Sequence, residues 1–135
     1  MSFEAIAYIT KKKAGMNALC NRMAKGLESQ AKHNAKWTDR TSHARQGLKG
    51  GCEGGGNSYS IYLAHGVDYG EVLEEGSKPH VITPKNGKAL YWKGAAHPIK
   101  VVHHPGTKGF KTIENTLEGS REVIKSAVLK YWSDN

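Results

Sequence analysis

The sequence is poor in cysteine and proline and has no long apolar run. Its 135 residues include only 2 Cys and 4 Pro. Cys20 and Cys52 are too few for a disulfide framework or a four-cysteine zinc site, and we interpret Cys52 as a plain loop cysteine. We therefore expect a cytoplasmic, reducing origin. No run of about 18 apolar residues occurs, which excludes a transmembrane helix and predicts no membrane partner. Residues 1–4 lack the pattern that begins a secretory signal.

The length and polarity of the chain indicate one domain. Its mass is 14.8 kDa, and hydrophobic residues make up 38% of it. That share is below the roughly 45–50% of typical globular domains. A chain of this size can still bury roughly two thirds of its unfolded surface and hold one core. We therefore expect a single domain over residues 1–135.

Acidic residues are scarce at the start of the chain. Residues 1–50 hold ten basic and three acidic residues, a balance of +7 within the total of +8. Residues 51–135 hold ten basic and nine acidic residues, a balance of +1. A localised basic excess favours contact with nucleic acid or an acidic partner, and a solvated basic face without a ligand stays open as the alternative.

Apolar spacing predicts a helix near each end of the chain. The first covers about residues 12–36, where apolar residues recur every three or four positions: Met16, Leu19, Met23, Leu27 and Ala31. Residues 3–9 fit either a short strand or the lead into this helix. The second covers about residues 111–132, where one face carries Ile113, Leu117, Ile124, Val128 and Tyr131. Its glutamates come early and its lysines late, which suits the helix dipole.

The middle of the chain predicts strands joined by turns. Six of the ten residues over 47–56 are glycine, which predicts a flexible loop or hairpin tip. A sheet follows over about residues 57–103, with a turn at residues 84–87 and strands at 81–83, 88–92 and 99–102. Within it, residues 68–76 fit a short helix or an extended segment. The prediction is an α+β fold, in which a long N-terminal helix and a C-terminal helix pack a mostly antiparallel β-sheet.

No residues have the spacing of a catalytic, cofactor or metal site. His103 and His104 are adjacent, so on a strand they point to opposite faces. The glycine-rich segment lacks the Lys-Ser/Thr pair and the following helix of a phosphate-binding loop. We therefore predict no catalytic, cofactor-binding or metal-binding residues, and a protein that is not an enzyme.

Four blocks nevertheless follow a recognisable order after the first helix. They are residues 37–45 (WTDRTSHAR), 65–77 (HGVDYGEVLEEGS), 82–90 (ITPKNGKAL) and 104–108 (HPGTK). Together they resemble the small neck and tail-completion proteins of long-tailed bacteriophages, over roughly residues 10–132. The chain departs from that pattern at Ser42, where the family has Gly, at Ser77, where it has Thr, and at Gly109, where it has Pro.

The resemblance implies a structural virion protein at the head–tail junction, present in the host cytoplasm during assembly. Copies would form a ring, as a hexamer or dodecamer, between the head-side connector and the tail terminator or tail tube. DNA would pass through the lumen without sequence-specific contacts. The residues that would face the lumen or an acidic partner are Lys11, Lys12, Lys13, Arg22 and Lys25. A loop that orders on docking, or stays a passive hairpin tip, would comprise Gly50, Gly51, Cys52, Gly54, Gly55 and Gly56.

The alternative is a stand-alone basic nucleic-acid-binding protein or a small nuclease. Tyr59 and the pair Tyr91–Trp92 fall on predicted strands, where aromatic rings can stack on bases. Such a protein binds free DNA or RNA with a steep salt dependence, because binding releases counterions.

Overall fold

The computed structural model describes residues 2–55, 57–83 and 101–134. It confirms the predicted α+β fold, with two long helices and small antiparallel sheets. In chain order the elements are α1 (Phe3–Asn34), α2 (His43–Gln46), β1 (Lys49–Gly55), β2 (Ser58–Ala64), α3 (Gly70–Glu75), β3 (Gly76–Ser77), β4 (His80–Ile82), β5 (Val102–His104), β6 (Thr107–Lys108) and α4 (Thr112–Ser133). The predicted turn at 84–87 and strand at 88–92 lie outside the described residues.

Helix α1 begins well before the predicted start near residue 12. Ser2 is its N-cap, and the Ser2 hydroxyl accepts a hydrogen bond from the backbone N–H of Ala5 at 3.2 Å. Residues 3–9 are therefore helical, and the strand interpretation of that segment is wrong. The buried side of α1 is made of mostly small residues: Met16, Cys20, Ala24, Leu27 and Ala31.

The glycine-rich segment forms strand β1, so the predicted flexible loop is wrong for Lys49–Gly55, while the alternative of a hairpin tip holds for its last residues, Gly54 and Gly55. Strand β1 pairs antiparallel with β2, with Gly50 opposite Leu63 and Cys52 opposite Ile61. A Cβ on Gly50 would lie 2.1 Å from the carbonyl oxygen of Ala24. Glycine is needed here because the strand lies directly against α1, a requirement of tertiary packing rather than of loop flexibility.

A disulfide joins the same two elements. Cys20 on α1 and Cys52 on β1 are bonded, with a Cα–Cα distance of 5.9 Å that fits ordinary disulfide geometry. The interpretation of Cys52 as a plain loop cysteine is therefore wrong. The two cysteines are 32 residues apart in sequence, and the packing of β1 across α1 brings them together.

Short elements connect the hairpin to the last helix. Helix α3 confirms the helical interpretation of residues 68–76 and ends at Gly76, whose φ of 84° is in the left-handed region. Strand β3 pairs with β6, and β4 pairs with β5 with His80 opposite His104. Gly106 forms the turn between β5 and β6 with a φ of 86°.

The long helices pack antiparallel. Lys12 near the start of α1 reaches the end of α4, where its Nζ donates to the carbonyl oxygen of Tyr131 at 2.6 Å. Near the other end, Ser120 Oγ donates to Gln30 Oε1 at 3.0 Å. The main core cluster comes from the end of α1, the following turn and the hairpin: Ala31, Ala35, Trp37, Ala44, Leu48 and Leu63.

Candidate functional site

An apolar groove lies between α1, β2 and α4. Its volume is about 730 Å³. Met16 and Met23 contribute from α1, Ile61 from β2, and the floor on α4 is formed by Leu117, Ile124 and Val128. A groove of this size and lining is typical of sites that bind an apolar ligand or side chains of a partner.

Helix α4 buries polar side chains beside its apolar stripe. The buried residues of α4 are Thr112, Thr116 and Ser120. The predicted apolar stripe of α4 lies beside this buried face, so Leu117, Ile124 and Val128 are only partly covered. The structure confirms the predicted stripe: Ile113 and Leu117 pack against the main core cluster, whereas Ile124 and Val128 line the groove. The sequence does contain a signal for the buried face: the small hydroxyl residues Thr112, Thr116 and Ser120 recur every four positions beside the apolar stripe.

Charged and polar groups form the rim of the groove. Lys13 Nζ donates to Asn57 Oδ1 at 3.0 Å, and the Tyr59 hydroxyl donates to the Lys13 carbonyl oxygen at 2.9 Å. Arg121 and Glu118 border the groove on α4, and both are exposed. The rim therefore carries two cations and one carboxylate around an apolar floor.

The predicted basic residues do not form one free surface. Lys12 also donates to the carbonyl oxygen of Asp134 at 3.0 Å, and its ammonium lies 4.2 Å from the Tyr131 ring centroid. Lys13 lies on the groove rim, and Lys25 pairs with Glu28 at 3.3 Å. Lys11 and Arg22 are exposed, and no ion pair of either occurs within the described residues. They are three helical turns apart, so they lie on one face of α1.

The predicted docking segment lies in the hairpin rather than in a loop. Gly50, Gly51, Cys52, Gly54 and Gly55 all belong to β1, and Gly56 lies outside the described residues. Gly50 is buried, while Gly54 and Gly55 are exposed near the tip. Docking by this segment stays a prediction, now confined to its exposed end.

Arg45, which belongs to the first block of the resemblance, binds carbonyl groups at the end of α1. Its Nη1 donates to the carbonyl oxygens of Lys32 and, at 3.1 Å, Ala35; Nη2 donates to that of Trp37 at 3.2 Å. Its Nε donates to Asp39 at 2.8 Å. The last carbonyl groups of a helix have no backbone N–H to bind. Here the guanidinium of Arg45 donates hydrogen bonds to carbonyl groups at the end of α1. The role of Arg45 is thus to hold the fold.

Glu74, from the second block, caps the start of α4. Its carboxylate accepts hydrogen bonds from the backbone N–H groups of Ile113 at 2.9 Å and Glu114 at 3.1 Å, and lies 3.4 Å from His65 Nε2. Burial alone would raise the pKa of Glu74, but these hydrogen bonds outweigh it and hold the pKa below its ordinary value of 4.5. A carboxylate at a helix N-terminus is also favoured by the helix dipole.

Glu74→Gln is expected to lower the free energy of unfolding at pH 7 by about 1–2 kcal/mol, because charge-assisted bonds to the helix start are lost. The folded pKa lies below the unfolded one, so the stabilisation is present above about pH 5 and is lost as pH falls through the folded pKa. Urea unfolding from pH 7 to pH 3 measures the difference. Glu71→Gln, on the exposed face of α3, is the matched control. A difference between wild type and Glu74→Gln that does not shrink in acid contradicts the prediction.

Other kinds of site are not seen in the described part of the chain. Across residues 2–55, 57–83 and 101–134, no group of three or more His, Cys, Asp or Glu side chains could hold a metal ion. No helix in these ranges combines the length and apolar character needed to span a bilayer.

In comparisons with known proteins, no family model, curated protein or solved structure matches the chain.

Proposed function

We propose that the protein is a structural component of the head–tail junction of a long-tailed bacteriophage. Its copies form a ring that joins the connector to the tail, and DNA passes through the lumen. The observation that carries this proposal is the apolar groove between α1, β2 and α4, which no part of the described residues fills. An apolar surface of this kind is stable in water when another protein surface covers it, as in a permanent assembly.

The order of the four sequence blocks supports the same function. Residues of three of these blocks stabilise the fold: Arg45 binds carbonyl groups at the end of α1, Glu74 caps α4, and Gly76 and Gly106 form turns. A structural protein is expected to use such residues to hold its fold, because its task is to present a shaped surface. The proposal therefore includes no catalytic step and no cofactor.

The exposed face of α1 with Lys11 and Arg22 is proposed to face DNA in the lumen or an acidic neighbour. Contacts of this type attract phosphate or carboxylate groups without reading sequence. They do not require the groove, so the two surfaces can be occupied together.

Quantitative mass spectrometry of purified tailed particles that encode the chain tests the proposal. We expect six or twelve copies in each particle, at a fixed ratio to the connector, because a ring has a closed symmetry. Complete absence from the particles would overturn the proposed function.

A separate binding measurement tests the alternative function, a stand-alone nucleic-acid-binding protein. Fluorescence anisotropy of a labelled DNA duplex gives the affinity at rising salt concentration. Tight binding with a steep salt slope, weakened strongly by replacing Lys11 and Arg22 with Ala, would favour a stand-alone binding protein. Under the ring proposal we expect weak binding to free DNA.

A further inference from the structure

The β1–β2 hairpin lies lengthwise along α1. Near its base, the Gly50 N–H donates to Glu28 Oε1 at 3.0 Å. Near its tip, the Tyr59 hydroxyl donates to the Lys13 carbonyl oxygen at 2.9 Å. Lys13 and Glu28 are about 22 Å apart along the helix axis. The hairpin is therefore attached to α1 at two levels that are about four helical turns apart.

The disulfide divides this hairpin into two halves. Cys20 lies midway between the two hydrogen-bonded positions of α1, so Cys52 is fixed to the helix between the base and the tip. Cys52 is opposite Ile61 in the register of the two strands. We call the part beyond this pair the tip half; its described residues are 53–55 and 57–60.

The tip half forms one wall of the groove. Asn57, Ser58 and Tyr59 line the groove in this half, and Ile61 lines it beside the disulfide. Cys20 lines it from the α1 side. Tyr59 and Ile61 are only partly buried, because they border the groove. Little apolar burial therefore holds this wall against α1.

Few other contacts fix the tip half. Within the described residues, its hydrogen bonds to α1 are the two at Lys13, one from Tyr59 and one to Asn57. The bond to Asn57 is exposed, and a hydrogen bond that competes with water contributes little net free energy. Gly54 and Gly55 lie on the β1 side of this half, and glycine gives the backbone more conformational freedom than any other residue. The disulfide is thus the strongest attachment of the wall.

We propose that the Cys20–Cys52 disulfide is a redox switch for the groove. In the oxidised chain it holds the tip half against α1 and keeps the groove in the observed shape. In the reduced chain the tip half moves away from α1, while the base of the hairpin stays in place and the rest of the fold is retained. The switch sets the shape of the groove and does not depend on the proposed ring.

The two sulfur atoms differ in their access to a small thiol such as glutathione. Cys52 is partly buried on the hairpin, whereas Cys20 is 1% exposed. A thiolate therefore attacks Cys52 Sγ, the disulfide bond breaks, and Cys20 leaves as a thiolate that takes up a proton. A second thiolate attacks the small-molecule sulfur of the mixed disulfide, and Cys52 leaves and takes up a proton in turn. Two small thiols thus become one small disulfide, and their two electrons and two protons pass to the two cysteines.

NMR of the folded chain tests the switch through through-space contacts between protons, before and after complete reduction with dithiothreitol. Contacts between the Tyr59 ring and Lys13 are expected to weaken at least about twofold, as follows when half or more of the molecules are open. Contacts between Gly50 and Glu28 should persist, because the base keeps its attachment. Cys52→Ser is the matched control: it should show the weak Tyr59–Lys13 contacts without reductant and no further change when reductant is added.

Mass spectrometry tests the site of attack. The chain is incubated with glutathione, quenched in acid and digested. We expect the mixed disulfide on Cys52 at least about tenfold more often than on Cys20, because access to sulfur limits the attack. The variants Cys20→Ala and Cys52→Ser each keep one thiol, and N-ethylmaleimide should react at least about tenfold faster with Cys52 of the first than with Cys20 of the second. Equal amounts of adduct on the two cysteines would overturn this order of attack.

Three other results would each overturn the switch. Tyr59–Lys13 contacts that survive reduction would show that the disulfide does not control the wall. Loss of the Gly50–Glu28 contacts together with them would show that the bond holds the whole hairpin. A disulfide that excess glutathione leaves intact in the folded chain would be permanent. None of these results bears on the proposed ring, which the copy number in particles tests separately.

Discussion

Reduction of the Cys20–Cys52 disulfide is expected to lower the free energy of unfolding by about 3–4 kcal/mol. The bond joins residues 32 apart in sequence, and it restricts the unfolded chain by closing a loop of that length. In the chain-entropy model, a loop of this size gives a stabilisation in that range. The effect is large because a domain of this size typically has only about 5–15 kcal/mol of stability.

Urea unfolding with and without reductant measures this effect. Cys52→Ser is the better variant, because Cys52 is only partly buried whereas Cys20 is 1% exposed in the core. Wild type should lose stability on reduction, and Cys52→Ser should match the reduced wild type under both conditions. Equal stability of the oxidised and reduced wild type would show that the disulfide contributes nothing to the fold.

The second large effect is expected for Gly50→Ala, which should lower the free energy of unfolding by about 2–3 kcal/mol. The added Cβ would lie 2.1 Å from the Ala24 carbonyl oxygen and 3.0 Å from its carbonyl carbon. Both atoms belong to the backbone, so neither can move aside as a flexible side chain would. Shifting β1 away from α1 would also stretch the hydrogen bond from the Gly50 N–H to Glu28 Oε1, now 3.0 Å. That bond is the main reason that the pKa of Glu28 is lowered.

Gly55→Ala provides the control for Gly50→Ala. Gly55 lies in the same strand, but a Cβ there has no atom within 4 Å. Its substitution is expected to change the stability by no more than about 0.5 kcal/mol. Chemical denaturation of both variants, compared with wild type, gives the two values. Similar values for the two variants would contradict a close approach of β1 to α1.

The long helices could be predicted from sequence because their apolar spacing is a local property. Helix α4 over Thr112–Ser133 agrees with the predicted 111–132. The start of helix α1 was left open because residues 3–9 alternate loosely, a pattern that fits a short strand as well as a helix. The glycine-rich strand was predicted as a flexible loop or a hairpin tip because glycine predicts flexibility locally. The need for Gly50 arises only where a strand meets a helix, which the sequence does not show.

The candidate site could be predicted only in part. The stripe containing Leu117, Ile124 and Val128 was identified, but a stripe does not reveal which of its sides another element covers. The basic residues of α1 were identified by composition, although Lys12 and Lys13 use their charges within the fold. The disulfide could not be predicted, because a separation of 32 residues becomes a bond only through tertiary packing.

The location of the main core cluster has a consequence for the order of folding. All six buried residues of the cluster lie within residues 31–63, so the end of α1 and the hairpin can collapse together early. The hydrogen bond between Gly50 and Glu28 closes a loop of 22 residues, whereas the contact of Lys12 with Tyr131 closes one of 119. The longer closure costs about 1.5 kcal/mol more entropy, so we expect α4 to dock last onto the α1–hairpin unit. The groove that α4 completes is therefore expected to be the last surface to form as the chain folds.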